Sequence, residues 1–222
     1  MSPQAIVLYG HGPSPNPWKV ALVLEELGLP YEWKELDIKQ IKEEPFTLIN
    51  PNGRLPAIED PNTGIAIWES GAILEYLVET YDKELKISFE HGSKDYFFAK
   101  QWLHFQMSGQ GPYFGQFAWF TRYHPEKLQS AIDRYLNEIR RVSSVMDGVL
   151  KSREYLVGGK FSYVDAAFLP WFDNVPLFTD IIDYKTEYPD LWAWLERIRA
   201  RPALAIALKD RAEALLRLQK QK

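Results

Sequence analysis

The feature that most constrains the fold of this chain is a short apolar run that leads, through a loop, into a helix. Residues 5–9 (Ala-Ile-Val-Leu-Tyr) predict a strand that is buried on both faces. A loop rich in glycine and proline follows, and Asn16 and Pro17 suit the N-cap and first position of a helix that ends at Gly28. The start of such a helix attracts anions, thiolates included, because it presents backbone N–H groups and the positive end of a helix dipole. A purely structural cap at Asn16 is the alternative.

The first third of the chain continues to alternate between strands and helices. The predicted elements are a strand at 31–37, a short charged helix at 39–48, a turn at 50–53, a hairpin with strands at 55–59 and 65–68, and a helix at 69–81. Their order is βαβ-(α)-ββα, which predicts an α/β domain over residues 1–86.

Beyond a linker at residues 87–92, the sequence predicts helices alone. The predicted helices are 95–104, with a kink or interruption at 109–112, then 125–153, one that begins at Ser162, 188–201 and 202–220. Ser162 and Asp165 have the spacing of a capping box. Residues 93–222 are therefore predicted to form an all-helical domain.

Composition excludes several classes of function. The net charge of −4 gives no electrostatic reason to expect nucleic acid or an acidic membrane as a partner. The chain has no cysteine, so any thiol chemistry must use a thiol that a ligand brings in. Its four histidines are scattered, and we expect no metal site. Neither a signal peptide nor an apolar membrane span is visible, so we expect a cytoplasmic protein.

Three motifs occur in order along the chain. They are residues 50–58 (Asn-Pro-Asn-Gly-Arg-Leu-Pro-Ala-Ile), 67–74 (Ile-Trp-Glu-Ser-Gly-Ala-Ile-Leu) and 158–167 (Gly-Gly-Lys-Phe-Ser-Tyr-Val-Asp-Ala-Ala). With these motifs, nearly the whole chain resembles a cytosolic glutathione transferase. Residues 15–20, 68–74, 106–109, 114–116 and 134–142 are similar to the fungal group that resembles the globular domain of the yeast nitrogen-regulating prion protein, and to its bacterial nu-class relatives. The resemblance implies a thioredoxin-like N-terminal domain, an all-α C-terminal domain and a homodimer.

The resemblance implies two elements that bind glutathione. Leu55-Pro56 matches a cis peptide bond that turns the backbone of Leu55 outward, toward the cysteinyl backbone of the ligand. Glu69 and Ser70 match the pair that holds the γ-glutamyl ammonium and carboxylate at the start of a helix. From the residues alone, Pro56 also fits an ordinary turn, and Ser70 also fits a plain helix start.

Three residues are candidates for activating the thiol of the ligand. Asn16 is the first, because its side-chain NH₂ can donate to a thiolate. Tyr9 and Ser14 are the rivals, since they lie roughly where tyrosine-type and serine-type transferases keep their activating hydroxyls. Lowering a thiol pKa by about 2 units requires about 2.7 kcal/mol. One charge-assisted hydrogen bond supplies about 1.5–3 kcal/mol and a helix terminus about 0.3–1 kcal/mol, so no general base is needed.

The rest of the substrate site is less well specified. At the glycyl end, the yeast relative has a histidine where this chain has Ile41, and Lys42 is the candidate replacement. The resemblance places an apolar second substrate between the domains, near an aromatic run that also fits a core segment. The residues of that run are Tyr113, Phe117, Trp119, Phe120, Arg122 and Tyr123.

We expect a glutathione-dependent enzyme that acts on disulfides, peroxides or small apolar electrophiles, as in detoxification. Asparagine at the sulfur favours disulfide reductase or peroxidase activity over conjugation of aryl halides, by resemblance. Two alternatives remain open. One is a non-catalytic regulator that binds a protein partner, as the yeast prion protein does, although no Asn/Gln-rich extension precedes the domain here. The other is a ligand carrier.

Overall fold

The computed structural model describes residues 3–220, which form two compact units. The first unit contains the chain up to Ser88 together with the segment from Arg199 onward, and the second contains Phe89–Ile198. The sequence-based domain limits (1–86, linker 87–92 and 93–222) stay a prediction. Among residues 3–220, no helix has both the length and the apolar character needed to cross a lipid bilayer.

Four strands form one mixed sheet in the first unit. They are β1 (Ile6–Gly10), β2 (Tyr31–Glu35), β3 (Ala57–Asp60) and β4 (Ile65–Trp68), in the spatial order β2-β1-β3-β4. β1 and β2 are parallel, whereas β1–β3 and β3–β4 are antiparallel. The predicted βαβ-ββα order is confirmed.

Helices make up most of the remaining chain. They are α1 (Pro15–Leu27), α2 (Phe46–Ile49), α3 (Ser70–Tyr81), α4 (Lys94–Phe105), α5 (Gly111–Arg122), α6 (Gln129–Leu150), α7 (Tyr163–Asn174), α8 (Tyr184–Glu187), α9 (Pro189–Arg199) and α10 (Ala205–Lys220). The all-helical second half is thereby confirmed.

Helix α1 forms the centre of the first unit. Its residues from Val20 to Leu24 are completely buried, and the helix packs against both α3 and α10. Glu26, near its end, is also buried and accepts two hydrogen bonds from the guanidinium of Arg201, at 2.5 and 2.9 Å. This ion pair joins α1 to the segment that returns from the second unit, and the carbonyl of Glu26 also accepts from Lys86 Nζ at 2.6 Å.

The predicted start of α1 is wrong by two residues. The helix begins at Pro15, and Ser14 is the N-cap with an extended backbone (φ −74°, ψ 128°). Proline is tolerated in the first turn because its missing N–H would have no partner there, so Pro15 fits the first position and Pro17 the third. Asn16 therefore lies inside the first turn, where its backbone N–H points toward the open end of the helix.

Two further helix predictions differ from the structure. The predicted helix at 39–48 is divided into a 3₁₀ turn at Gln40–Lys42 and the short helix α2, because Pro45 disfavours helical backbone at the residue before it. The predicted interruption at 109–112 is a π-helical turn at Gln106–Gln110, through which α4 continues directly into α5. Pro112 is tolerated there because it occupies the first turn of α5.

The capping box at Ser162 is confirmed and carries a larger network. Asp165 is fully buried and accepts from the backbone N–H of Ser162 at 2.9 Å, from its hydroxyl at 2.8 Å and from the N–H of Leu156 at 3.1 Å. Trp194 on α9 donates its indole N–H to the same carboxylate at 2.9 Å. Burial raises the pKa of Asp165, and these four hydrogen bonds oppose that rise. One side chain thus holds α7, α9 and the preceding loop together.

Candidate functional site

Sheet register brings the three candidate segments to one edge of the first unit. Ala57 pairs with Tyr9 on one side and with Trp68 on the other, so these three residues are aligned across the sheet. The loop into α1 follows β1, Leu55-Pro56 precedes β3, and Glu69-Ser70 follows β4. Because β3 is antiparallel to both neighbours, all three segments lie at the same edge.

Leu55 and Pro56 offer a free backbone at this edge. The bond between them is cis, as the resemblance implies. Pro56 is buried, and the half-buried side chain of Leu55 packs against the apolar cluster of Tyr9, Phe46 and Ala57. Neither the N–H nor the C=O of Leu55 has a hydrogen-bond partner within residues 3–220. An extended peptide can therefore pair with Leu55 as an added antiparallel rung.

Glu69 and Ser70 form the start of α3. Ser70 is the first helical residue and is buried, whereas Glu69 is exposed at the N-cap. Glu69 has φ 72° and ψ 117°, a conformation that residues other than glycine rarely adopt and that costs about 1–3 kcal/mol. Such strain is common at binding sites, and the backbone N–H groups at the start of a helix suit a carboxylate.

Lys19 is a further candidate site residue, and the sequence analysis did not predict it. It lies on α1, is 1% exposed, and its Nζ donates to Ser70 Oγ at 3.3 Å. Burial lowers the pKa of Lys19 to about 7, while the nearby carboxylate of Glu69 opposes this effect. The available signal was a lysine on the buried stripe of α1, three and four residues before Leu22 and Val23.

The start of α1 holds two of the three candidates for thiol activation. Ser14 and Asn16 are both half-buried there, and the backbone N–H of Ser14 donates to the carbonyl of His11 at 2.8 Å. The hydroxyl of Ser14 makes no capping hydrogen bond with the helix in the described chain. Asn16 occupies the first turn and does not cap the helix, so its predicted role as the helix cap is wrong. Its predicted role as the thiol donor stays a prediction.

Tyr9, the third candidate, has its hydroxyl engaged elsewhere. The side chain is 4% exposed and donates to Glu59 Oε2 at 2.5 Å. Burial, followed by this hydrogen bond and the charge of Glu59, raises the pKa of Tyr9 well above its usual range. Its ring packs 5.5 Å from that of Phe46 on α2. A hydroxyl held this way is a poor donor for a ligand thiolate.

Lys42 lies beside the turn that leads into Leu55. Its Nζ donates to the carbonyl of Gly53 at 2.6 Å. Gly53 has φ 59°, and a Cβ there would lie 2.7 Å from the carbonyl oxygen of Ile41, so only glycine fits. Asn50 closes the turn by donating its side-chain amide to the carbonyl of Arg54 at 2.6 Å. The ammonium is thus held close to the segment that presents the Leu55 backbone.

The aromatic run of α5, in the second unit, divides between core and surface. Phe117 is buried, Trp119 is 47% exposed and Tyr123, just after the helix, is 60% exposed. Phe120 stacks on Tyr135 of α6, with ring centroids 5.7 Å apart. Tyr113 is half-buried, and Arg122 donates to the carbonyl of Leu177. The run is therefore partly core and partly surface, and its contact with a second substrate stays a prediction.

The described residues also bear on metal binding. Within residues 3–220, no three His, Asp or Glu side chains converge as potential ligands of a metal ion. The groups available for a ligand at the sheet edge are backbone N–H and C=O groups, hydroxyls, an amide, two ammonium groups and one exposed carboxylate. This set is suited to a zwitterionic peptide.

Comparison with known proteins agrees with this geometry. Residues 4–79 match the family "Glutathione S-transferase, N-terminal domain" and residues 106–202 match "Glutathione S-transferase, C-terminal domain". The glutathione S-transferase-like protein tpcF of Aspergillus fumigatus is 46% identical over 217 residues, which are 93% of this chain and 96% of that protein.

Two solved structures from Phanerochaete chrysosporium extend the comparison. The glutathione transferase URE2P6, in complex with oxidized glutathione, superposes with a TM-score of 0.91 at 45% identity over 95% of this chain and 98% of that one. Ure2p5, cocrystallized with 1-(S-glutathionyl)-2,4-dinitrobenzene, superposes with a TM-score of 0.87 at 38% identity over 97% and 98%. The expected resemblance is confirmed: the chain belongs to the glutathione S-transferase family, and its relatives are fungal members of the Ure2p type.

Proposed function

We propose that this protein binds glutathione along the sheet edge and activates its thiol at the start of α1. The observation that carries the proposal is the convergence, at one edge, of the unpaired backbone of Leu55, the first turn of α3 and the first turn of α1. Oxidized glutathione in the similar URE2P6 supports it. Each part of the tripeptide has a matching group on this edge.

The two ends of the ligand are distinguished by charge. The γ-glutamyl carboxylate accepts from Ser70 and from the first-turn N–H groups of α3, while its ammonium faces the exposed carboxylate of Glu69. Lys19, buried beneath Ser70, adds positive charge on the carboxylate side. Leu55 pairs with the cysteinyl backbone, and Lys42 meets the glycine carboxylate. Extended in this direction, the peptide brings its sulfur to the first turn of α1.

Asn16 is the residue that we propose for thiol activation. Its side-chain NH₂ donates to the thiolate, and the dipole of α1 adds to the stabilisation. Together these supply about 2–4 kcal/mol, which matches the 2.7 kcal/mol needed to lower the thiol pKa by about 2 units. Tyr9 is disfavoured because its hydroxyl already donates to Glu59. Ser14 remains the rival, because its hydroxyl makes no capping bond among the described residues.

The proposed reaction is reduction of disulfides by two glutathione molecules. The bound thiolate attacks one sulfur of a disulfide, the S–S bond breaks, and the leaving thiolate takes a proton from solvent. A second glutathione thiolate then attacks the mixed disulfide, which yields oxidized glutathione and the second thiol. This route needs no protein cysteine, and the chain has none. Organic hydroperoxides are the second proposed substrate class. The same thiolate attacks the O–O bond, which releases the alcohol and leaves glutathione sulfenic acid, and a second glutathione thiol then displaces water to yield oxidized glutathione.

Conjugation of small apolar electrophiles is a second candidate function. The observation that favours it is the glutathionyl-dinitrobenzene found with the similar Ure2p5. Turnover of a hydroxyethyl disulfide, a hydroperoxide and an aryl chloride by the purified protein would rank the three activities. Absence of glutathione dependence in all three assays would contradict the enzymatic proposal and favour a regulator or carrier.

Three variants test the choice of thiol donor. Asn16→Ala is expected to raise the pKa of bound glutathione by about 1–2 units while changing its affinity little, because one charge-assisted hydrogen bond is lost. Titration of thiolate absorbance measures this shift. Ser14→Ala and the exposed Asn137→Ala should leave it unchanged. An unchanged titration for Asn16→Ala, with a shift for Ser14→Ala, would move the role to Ser14.

We further propose a homodimer and a cytoplasmic location, as the family resemblance implies. Sedimentation velocity on the purified chain tests the first, and a dilution series that gives only monomer would contradict it. Fractionation of cells that express the chain tests the second.

A further inference from the structure

A cavity lies in the first unit beside the loop that leads into α1. It has a volume of about 750 Å³, within the range of small-molecule sites, and is lined by the loop at residues 11–13 and by α1, β2 and α10. We call it the α10 cavity. Asn16, Leu55 and Ser70 do not line it. These three residues, which we propose to hold glutathione, are therefore not shared with the α10 cavity.

Aromatic side chains form the inner wall of the α10 cavity. Trp18 and Trp33 stack with ring centroids 4.5 Å apart and an interplanar angle of 27°. Trp18 is held by a hydrogen bond from its indole N–H to the carbonyl of Gly12, at 2.7 Å. Tyr31 completes the wall and donates its hydroxyl to Glu25 at 3.0 Å. These rings are fixed in place before any ligand enters.

Two glycines allow the walls to come together. A Cβ at Gly10 would lie 2.3 Å from the ring of Trp33, and one at Gly12 would lie 2.8 Å from the Cβ of Ala214 on α10. Neither glycine needs a positive φ, so their role is close packing rather than backbone freedom. The cavity is thus a consequence of how α1, β2 and α10 are packed, and Ile206 is 63% exposed at its margin.

The charges around the cavity are mostly negative. Its lining includes four carboxylates, those of Glu25, Glu35, Asp210 and Glu213, against one guanidinium, that of Arg217. Glu35 accepts from His11, from the N–H of Gly12 and from the indole of Trp33, and Glu213 lies 3.5 Å from Arg217. Asp210 lines the cavity together with the aromatic residues Tyr31 and Trp33.

We propose that the α10 cavity binds flat organic cations, such as aromatic quaternary amines. A cation gains from the faces of electron-rich indole rings and from the carboxylates, whereas an anion meets the same carboxylates as repulsion. The flat body of the ligand lies against Trp33 and Tyr31, and its charge faces Asp210. This makes the protein a binder of a second ligand class, independent of the proposed glutathione site.

Berberine, an aromatic quaternary cation, is the probe. Titration calorimetry on the full chain at low salt, with S-hexylglutathione present to fill the glutathione site, should detect one berberine site per chain. Trp33→Leu should lower the affinity for berberine at least about tenfold, and Asp210→Asn should lower it about threefold to tenfold. Arg217→Ala should raise the affinity for berberine about threefold, because a positive charge that repels the cation is removed. The control is Glu32→Gln, which removes a carboxylate from the opposite face of β2 and should change nothing.

Several outcomes would overturn the proposal. One is berberine binding that is seen only without S-hexylglutathione, which would assign the probe to the glutathione site. Another is equal competition by the anion 8-anilinonaphthalene-1-sulfonate, which would remove the charge selection. Unchanged affinity for berberine in both Asp210→Asn and Arg217→Ala would also contradict selection of the ligand by charge. These two residues are exposed on α10, so their variants remain informative even if Trp33→Leu fails to fold.

Discussion

Replacing the buried lysine of α1 tests the electrostatics of the site in depth. Burial lowers the pKa of Lys19 from 10.5 to about 7, so the unfolded chain binds more protons than the folded chain between these pH values. Stability therefore rises with pH across this window. Below pH 7 the full penalty of the buried charge is present, and above 10.5 it vanishes.

The size of this penalty follows from the shift. One pKa unit corresponds to 1.36 kcal/mol, so the shift of Lys19 costs the folded protein about 5 kcal/mol at pH 6 and about 2 kcal/mol at pH 9. Lys19→Met keeps the length of the side chain and removes the charge. It also removes the hydrogen bond to Ser70, a loss of about 1 kcal/mol at either pH. The expected stabilisation is thus about 4 kcal/mol at pH 6 and about 1 kcal/mol at pH 9.

Guanidinium chloride unfolding of both proteins at these two pH values measures the difference. Its dependence on pH is the decisive quantity, because the lost hydrogen bond cancels between the two conditions. Lys209→Met, at an exposed position on α10, is the matched control and should show no such dependence. A stability difference for Lys19→Met that is the same at pH 6 and pH 9 would refute the reasoning. We also expect weaker glutathione binding by Lys19→Met, because the charge beneath the γ-glutamyl carboxylate is lost.

Two further substitutions test the fold and the site. Asp165→Ala removes four hydrogen bonds from the capping network and should lower the free energy of unfolding by about 3–5 kcal/mol, measured by denaturant titration. The control Asp133→Ala, at an exposed position on α6, should change the free energy of unfolding by no more than about 0.5 kcal/mol. Equal losses of stability in the two variants would argue against the network. Tyr9→Phe should lower the free energy of unfolding by about 1–2 kcal/mol, because the hydrogen bond to Glu59 is lost, yet it should leave the pKa of bound glutathione unchanged. A rise of one unit or more would restore Tyr9 as the thiol donor.

Much of the fold could be predicted because the relevant signals are local. The apolar run of β1, the alternation of β2 and the capping box at Ser162 each depend on residues within a few positions of one another. The order of elements then limits the topology of the sheet. Helix starts were less certain, since Pro15 and Pro17 both satisfy the rule for a first position.

The site was only partly predictable, because some of its contacts join distant residues. Leu55-Pro56 and Glu69-Ser70 stand in motifs that a resemblance can identify. The contact of Lys19 with Ser70 depends on how α1 packs on α3, and the bond between Tyr9 and Glu59 depends on sheet register. No local pattern contains that information.

The ion pair between Glu26 and Arg201 has a consequence for how the chain is made. The two residues are 175 positions apart, yet both belong to the first unit. During translation the ribosome therefore releases α1 long before the guanidinium that neutralises its buried carboxylate exists. Until residue 201 leaves the exit tunnel, the nascent first unit carries an uncompensated charge and the uncovered face of α1. The first unit can therefore complete the packing around Glu26 only after the whole second unit has been synthesised.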